Sequence, residues 1–139
     1  MNLDLFDQTN FTEAEFACRC GCGLCEVDLD FLAKLQQLRI AFDEPMTPNS
    51  GCRCAPYNRT LSTTRKSVDS SSHISVVTPE GIVMDVCCAV DIDIPGSRYR
   101  HDLLQANADL KVFNRYGIGA SFIHYDSDHL KAPGVVWCY

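Results

Sequence analysis

The stretch VDIDI, residues Val90–Ile94, alternates apolar and acidic side chains one for one. Successive side chains of a β-strand point to opposite faces, so this alternation predicts a strand with one buried and one wet face. The surrounding residues 82–94 and the preceding residues 73–78 are rich in Val and Ile, which is typical of strands. Pro79-Glu80-Gly81 supplies turn residues between the two segments, so the middle of the chain predicts paired strands.

Helical patterns flank these strands. Residues Asp28–Phe42 predict a helix because apolar residues recur at helical spacing, namely Phe31, Leu35, Leu38 and Phe42. Residues 46–72 are loop-rich, and a second helix is predicted over about 98–108 with Ser97 as its N-cap. Further along, Gly117-Ile118-Gly119 predicts a turn into a strand over 121–125, and residues 134–139 predict a last strand. Helices mostly precede strands, so we expect an α+β fold: an antiparallel sheet with flanking helices.

Length, charge and hydropathy indicate one small domain over residues 1–139, which is long enough to bury a core without disulfides. No apolar run reaches the length of a transmembrane helix, and the acidic N-terminus MNLDLFDQTNFTEAEF lacks the features of a signal peptide. The net charge is −6, and residues 1–45 carry nine acidic against three basic residues. We therefore expect a monomer that binds neither nucleic acid nor membrane.

Two histidines and one aspartate form a candidate metal-binding set: His73 in SSH, Asp91 in AVDI and His124 in FIHYD. Two neutral imidazoles and a carboxylate can hold a catalytic zinc ion and leave its fourth position open to water. Zinc lowers the pKa of such a water to about 7 and polarises a scissile carbonyl. Taken without its surroundings the triple is weak evidence, because each residue alone has an ordinary place on a surface or in a core.

The surroundings of these residues resemble peptidase family M15, the zinc D-Ala-D-Ala carboxypeptidases and peptidoglycan endopeptidases, and in particular the smaller members of its subfamily A. The matching blocks run in order along the chain: FACRCGCG (16–23), LQQLR (35–39), NSGCRCAPYN (49–58), SSH (71–73), AVDIDIPGSR (89–98), YGIGASFIHYD (116–126) and VVWCY (135–139). The resemblance implies a fold of the DD-peptidase and hedgehog type. It also implies that His73, Asp91 and His124 bind one catalytic zinc and that Arg53 holds substrate, since a guanidinium can grip a peptide carboxylate bidentately.

The spacing of two ligands departs from the family pattern. Family members join the first histidine to the aspartate by a short link of the form H-x-x-G-x-A-x-D, whereas 17 residues separate His73 from Asp91 here. Either a hairpin is inserted at about residues 75–88, or the ligand is Asp85 in the sequence GIVMD. The match of AVDI and of the following IPGSR favours Asp91.

The general base also departs from the pattern. Many relatives carry an acid three residues before the last histidine, where this chain has Ser121. Asp126 shares a strand face with His124 and is either the base or a residue that orients a ligand histidine. Asp128 and His129 are further candidates, because a base must lie within hydrogen-bonding reach of the attacking water.

Nine cysteines leave three interpretations open. Cys18, Cys20, Cys22 and Cys25 are closely spaced, and with Cys52 or Cys54 they could hold a structural zinc. Alternatively, one or two disulfides tie this segment to the Cys52–Cys54 loop, or the cysteines are buried free thiols. We expect a second zinc at Cys18, Cys20 and Cys22 less than either alternative.

The resemblance implies a zinc-dependent metallopeptidase that hydrolyses D-amino-acid-containing peptides of peptidoglycan, either as a carboxypeptidase or as an endopeptidase. Its partner would be a stem or cross-link peptide. Without a signal peptide, a cytoplasmic product would reach the wall through a holin or a virion, as phage lysis or tail-associated enzymes do. The alternative is a non-catalytic zinc-containing module of the same fold that binds a wall peptide or a protein, which Ser121 favours. A third interpretation makes the cysteine cluster itself an interaction element.

Overall fold

A computed structural model describes residues 4–61 and 71–139, and it has the predicted α+β class. Residues 62–70, which belong to the predicted loop, lie outside the described residues. The helices are α1 (Asp4–Asp7), α2 (Glu13–Phe16), α3 (Leu29–Phe42), α4 (Ala55–Thr60) and α5 (Ser97–Leu110). The strands are β1 (Pro48–Ser50), β2 (Val76–Val77), β3 (Val83–Asp85), β4 (Ala89–Asp93), β5 (Arg115–Ile118), β6 (Phe122–Asp126) and β7 (Val136–Cys138). Within the described ranges, no helix has the length and hydrophobicity to cross a membrane.

Five strands form the main sheet in the order β1-β4-β6-β5-β7. The pairs β1–β4, β4–β6 and β5–β6 are antiparallel as expected, whereas β5 and β7 pair in parallel at the edge, so the sheet is mixed. After β6 the chain crosses past β5 and forms β7 on the other side of β5. Strand β7 runs in the direction opposite to β6, which is the direction of β5, so β5 and β7 are parallel. The edge strand thereby places Trp137 opposite Gly117.

The alternation of β4 and β6 divides the sheet into a core face and an open face. Val90 and Ile92 of β4 join Ile123 and Tyr125 of β6 in the hydrophobic core, and all four are fully buried. Helix α3 covers this face with its predicted apolar stripe; the stripe's buried members are Phe31, Leu32, Leu35, Leu38 and Phe42. The intervening residues of both strands therefore point away from the helices, toward the opposite face.

Several element boundaries differ from the sequence prediction. Helix α3 begins at Leu29, because Asp28 is its N-cap and accepts a hydrogen bond from the backbone N–H of Phe31 (2.8 Å). Helix α5 begins at Ser97, whose predicted capping role is wrong: Gly96 occupies the N-cap without a side-chain hydrogen bond. Gly117 and Ile118 belong to strand β5, and the chain turns after them, where the N–H of Gly119 donates to the carbonyl of Phe122 (2.9 Å).

The expected insertion is a separate two-stranded hairpin formed by β2 and β3. Its turn lies at residues 78–81, where Gly81 has a left-handed φ of 85°. The hairpin is anchored just outside its strands, because Ser75 Oγ donates to the carbonyl of Glu26 (2.8 Å) and the N–H of Cys87 donates to the same carbonyl (2.7 Å). The hairpin thus lengthens the His73-to-Asp91 link without entering the main sheet.

Candidate metal centre

Two of the candidate ligands face each other across the central strand pair. Asp91 on β4 lies directly opposite His124 on β6 in the antiparallel register. Directly opposed side chains on one sheet face have Cβ atoms about 5 Å apart, close enough for polar groups to meet. Asp91 Oδ1 lies 2.9 Å from His124 Nδ1. The pairing of β4 with β6 therefore builds two-thirds of the site.

The third candidate ligand, His73, comes from the segment that precedes the hairpin. The N–H of Cys88 donates to the carbonyl of Ser72 (3.0 Å), and the N–H of Arg53 donates to the carbonyl of His73 (2.8 Å), so the segment is fixed on both sides. The ring is fixed as well, because His73 Nδ1 lies 2.7 Å from the carbonyl oxygen of Gly51. Nδ1 must donate in that contact, which leaves the lone pair on Nε2 directed at the site.

Three atoms then converge: His73 Nε2, His124 Nδ1 and Asp91 Oδ1. Their separations are 3.2 Å between the nitrogens, 2.9 Å from Asp91 to His124 and 3.3 Å from Asp91 to His73. Two ligands at about 2.05 Å from a tetrahedral zinc ion lie about 3.3 Å apart. The donor types and the triangle they form fit a zinc ion with three protein ligands.

Asp85, the alternative ligand, lies elsewhere. It is exposed on β3 of the hairpin and lines a neighbouring cavity, whereas Asp91 contacts both histidines. Among the described residues, His73, Asp91 and His124 form the one group of histidine and carboxylate ligand atoms close enough to share an ion. The inserted-hairpin interpretation therefore matches the arrangement of the chain.

Asp126 holds the second nitrogen of His124. Its Oδ2 lies 2.9 Å from His124 Nε2, on the side of the ring opposite the converging Nδ1. Arg115, directly across from Asp126 on β5, donates from Nε to Asp126 Oδ1 (2.7 Å). These contacts are those of a residue that orients a ligand histidine, and they occupy both carboxylate oxygens.

The charges of both carboxylates are stabilised. Burial alone would raise the pKa of Asp126, but hydrogen bonds from His124 and Arg115 outweigh it and lower the pKa to about 2. Burial would likewise raise the pKa of Asp91, but the charges and hydrogen bonds of His73 and His124 hold it well below its usual range. For His73, burial lowers the pKa. Burial would also lower the pKa of His124, but the hydrogen bonds and charges of Asp126 and Asp91 outweigh it and raise the pKa. An ionised carboxylate and a neutral imidazole are the forms that bind zinc, so zinc would compete with a proton at His124.

Arg53, the predicted substrate-holding residue, lies at the edge of the same site. Its Nε donates to Ser50 Oγ (3.1 Å), one guanidinium nitrogen donates to Asn58 Oδ1 (3.4 Å), and the other lies 3.5 Å from Asp91 Oδ2. The guanidinium is therefore positioned by its own loop while part of it faces the cavity. Neither Ser50 nor Asn58 was predicted to support it.

The triangle opens into a cavity of about 650 Å³. One wall is aromatic and consists of Phe122, Trp137 and Tyr139, which we call the aromatic wall. Apart from Leu61, the rest of the lining is polar and includes the cations Arg53, Arg115 and Lys131. Sequence reasoning missed Arg115, Lys131 and the aromatic wall, although the terminal block VVWCY contains two of the wall's three residues.

Of the candidates for general base, Asp126 lines the main cavity, whereas Asp128 and His129 line the neighbouring one. Ser121 is exposed and is absent from the cavity lining. Asp128 accepts a hydrogen bond from Ser72 Oγ (2.8 Å), and it lines the neighbouring cavity together with the exposed His129. Of the described residues that line the main cavity, the carboxylates are Asp91 and Asp126, and both are engaged. The contacts of Asp126 favour its orienting role over its role as base.

The cysteine near His73 has no catalytic arrangement. Cys88 Sγ lies 3.8 Å from the carbonyl of Ser72, and burial raises the pKa of Cys88 to about 12. A thiol with so high a pKa is a poor nucleophile at neutral pH. A cysteine–histidine pair of Cys88 and His73 is therefore not supported.

Comparison with known proteins adds one match. A family model described as Peptidase M15 matches residues 9–126, which include all three converging residues and Arg53. No curated protein and no solved structure matches the chain.

Proposed function

The chain belongs to the peptidase M15 family, and from that premise we propose that His73, Asp91 and His124 bind the catalytic zinc of a peptidase that cleaves D-amino-acid-containing peptides. Membership of the family implies a zinc-dependent metallopeptidase acting on peptidoglycan peptides. The observation that carries the residue assignment is the triangle of His73 Nε2, His124 Nδ1 and Asp91 Oδ1, with edges of 2.9–3.3 Å.

The chain's own residues fix both candidate ligand rings before zinc binds. The Gly51 carbonyl fixes the tautomer of His73, and Asp126, held by Arg115, fixes the ring of His124. When bound, zinc polarises the scissile carbonyl and activates water for attack. Preset rings and an ionised Asp91 keep the ligand atoms in place, so that little reorganisation accompanies the reaction.

The cavity supports a peptide with a free or developing negative charge. Arg53 presents a guanidinium next to the triangle, and Lys131, which donates to Ser72 Oγ (2.9 Å), adds a second cation on the lining. The aromatic wall supplies an apolar surface for small side chains such as the methyl groups of alanine. This combination suits a short stem or cross-link peptide, with Arg53 gripping a carboxylate.

A lysis or tail-associated role in a phage is the setting that we propose for this activity. The chain would then act on the wall as a monomer after delivery by a holin or a virion. The acidic N-terminal region and the balanced charge of the remainder suit a peptide substrate better than a polyanion.

The decisive experiment is release of peptides from purified peptidoglycan, analysed by mass spectrometry. Release should stop when a chelator is added, return with zinc, and be absent in His124→Ala. Fragment masses distinguish loss of a terminal D-alanine from cleavage within a stem or cross-link. His101→Ala, which changes an exposed histidine on α5, is the matched control and should release peptides like the wild type.

A second function is favoured by one observation, the serine at position 121. Without an acid there, and with Asp126 engaged by Arg115, the chain would keep its zinc and bind a wall peptide or protein without turnover. Zinc-loaded, folded protein that releases nothing from several wall chemistries would support this binding module.

A further inference from the structure

Four cysteines outside the candidate catalytic site converge on one point. Cys18, Cys20 and Cys22 come from the turn after α2, and Cys54 comes from the N-cap of α4. Their four sulfur atoms all lie within 4.8 Å of one another. We propose that Cys18, Cys20, Cys22 and Cys54 form a second, structural zinc site.

The sulfur geometry matches a tetrahedral thiolate site. The Sγ separations are 3.5 Å for Cys18–Cys20, 3.7 Å for Cys20–Cys54 and 3.8 Å for Cys18–Cys54. Four sulfurs at about 2.3 Å from a zinc ion lie about 3.8 Å apart. A disulfide would instead draw one pair together to about 2.05 Å and leave the others outside it. The three Sγ separations are nearly equal, as expected for sulfur atoms that surround one metal ion.

The backbone of the turn is shaped to present these thiols. Gly21 and Gly23 have left-handed φ values of 87° and 80°, which glycine adopts without strain. The N–H of Gly21 donates to the carbonyl of Cys18 (3.2 Å), and the N–H of Cys18 donates to the carbonyl of Leu24 (2.8 Å). These two hydrogen bonds fix the backbone of the turn, in which the sulfur atoms of Cys18, Cys20 and Cys22 lie close together.

One contact of Cys54 suits a thiolate at the centre of the cluster. Its backbone N–H lies 3.4 Å from Cys18 Sγ and can donate a hydrogen bond to a thiolate there. A divalent ion bound by the four sulfur atoms would keep the thiols deprotonated.

The structure also separates this cluster from the remaining cysteines. Cys25 Sγ contacts the carbonyl of Glu13 and Cys52 Sγ contacts the carbonyl of Glu26, each at 3.7 Å, in the hydrophobic core. A hydrogen bond with Cys52 and burial raise the pKa of Cys25 far above its usual range. No disulfide joins any of the nine cysteines, all of which lie in the described ranges, and the cluster takes Cys54, rather than Cys25 or Cys52, as its fourth member.

The position of this site gives it a structural role. Cys54 directly follows Arg53 in the sequence. Gly51, whose carbonyl oxygen contacts His73 Nδ1, lies three residues before Cys54. Zinc at the cluster would clamp the segment Gly51–Cys54 to the turn after α2. The zinc would therefore fix the positions of Arg53 and of the Gly51 carbonyl without being part of the candidate catalytic site.

Metal content tests this proposal independently of catalysis. Protein purified under reducing conditions without chelator should contain two zinc ions per chain, and His124→Ala should contain one. Cys20→Ser and Cys22→Ser should each contain one, whereas Cys138→Ser, which changes an exposed thiol outside the cluster, should contain two. Cobalt in place of zinc should give a thiolate-to-metal charge-transfer band in the wild type and in His124→Ala.

Other outcomes separate the two sites. One zinc in the wild type and none in His124→Ala, with no thiolate band, would overturn the cysteine site and leave the candidate catalytic site intact. Zinc that persists in His124→Ala but is lost from Cys20→Ser would support the cysteine site even in a chain that releases no peptide. If Cys20→Ser fails to fold, the content of His124→Ala and its cobalt spectrum decide the question.

Discussion

At the scale of single residues, the two ring nitrogens of His124 have different partners. Nδ1 joins the ligand triangle and Nε2 is held by Asp126, whose other oxygen takes Arg115. A carboxylate held in this way raises the basicity of the ligand ring and fixes its direction. The pair Asp126–Arg115 is therefore predicted to act on metal affinity rather than on the reacting atoms.

Asp126→Asn tests this prediction. Zinc affinity should fall about 10- to 100-fold, because the ring of His124 loses its charged partner. A competition titration against a chromophoric chelator measures the affinity. Asp93→Asn is the control. Asp93 lies on the same face of β4 as Asp91, but its Oδ1 accepts a hydrogen bond from Asn49 Nδ2 (3.3 Å), so its replacement should leave zinc binding unchanged. Unchanged affinity in Asp126→Asn, with peptide release abolished, would make Asp126 the general base instead.

Gly117 carries a second residue-scale prediction, about the aromatic wall. A Cβ at this position would collide with the Trp137 indole and approach the Tyr139 ring at 2.7 Å. Gly117→Ala should therefore displace the wall and lower the free energy of unfolding by about 1–3 kcal/mol, the usual cost of overpacking. Denaturant unfolding and peptide binding both measure this. Gly96→Ala, where a Cβ meets nothing within 4 Å, should leave peptide binding unchanged and should cost less stability, since it alters only the N-cap of α5. Equal effects at both positions would contradict the prediction.

The residue-scale predictions from sequence were limited by what a single chain segment reveals. His73, Asp91, His124 and Arg53 stand in recognisable blocks, so they could be named and the structure brings them together. Arg115 stands in no such block, and its importance comes from lying opposite Asp126 in the β5–β6 register. That register depends on the turn after Ile118, which the sequence prediction placed one or two residues too early.

At the scale of elements, long periodic segments were predicted well and short ones were missed. Helix α3 and strand β6 have strong periodicity of their own, and each was found within one or two residues of its expected bounds. The strand expected over residues 82–94 is instead divided into β3 (Val83–Asp85) and β4 (Ala89–Asp93). Helices α2 and α4 have four and six residues, and strand β1 has three. Such short elements depend on contacts with the rest of the molecule, as when α2 packs Phe16 into the core. Helix α2 also has a local signal that the sequence prediction did not use, the capping box formed by Thr12 and Glu15.

The β2–β3 hairpin carries the prediction at this scale. Because Ser75 and Cys87 are anchored to Glu26 outside the hairpin strands, the ligands on either side do not depend on the hairpin. Replacing residues 77–84 with a two-residue Asn-Gly turn should leave zinc affinity and peptide release within about twofold of wild type. Metal analysis and the peptidoglycan assay measure the outcome. A folded, shortened chain that no longer binds zinc would show that the hairpin shapes the site.

At the scale of the whole molecule, the candidate catalytic zinc joins parts of the chain that are far apart in sequence. Its ligands come from the segment before the hairpin and from the two central strands, 51 residues apart at the extremes, His73 and His124. Their convergence requires the β4–β6 register, since a slip of one residue would turn Asp91 and His124 into the core and Val90 and Tyr125 out of it. The same β4–β6 register is therefore required by the hydrophobic core and by the candidate metal site.

This linkage predicts how metal affects stability. Zinc binds the folded arrangement and not the separated ligands, so zinc at about 1000 times its dissociation constant should stabilise the metal-free chain by about 4 kcal/mol per site. Thermal unfolding with and without zinc measures the shift, which should be smaller in His124→Ala, where only the cysteine cluster remains to bind. His101→Ala, altered on the surface of α5, should shift like the wild type. The difference between the two shifts is the stability gained when zinc binds His73, Asp91 and His124, which the folded sheet brings together. An equal zinc-induced shift in wild type and in His124→Ala would therefore mean that this triangle does not couple metal binding to folding.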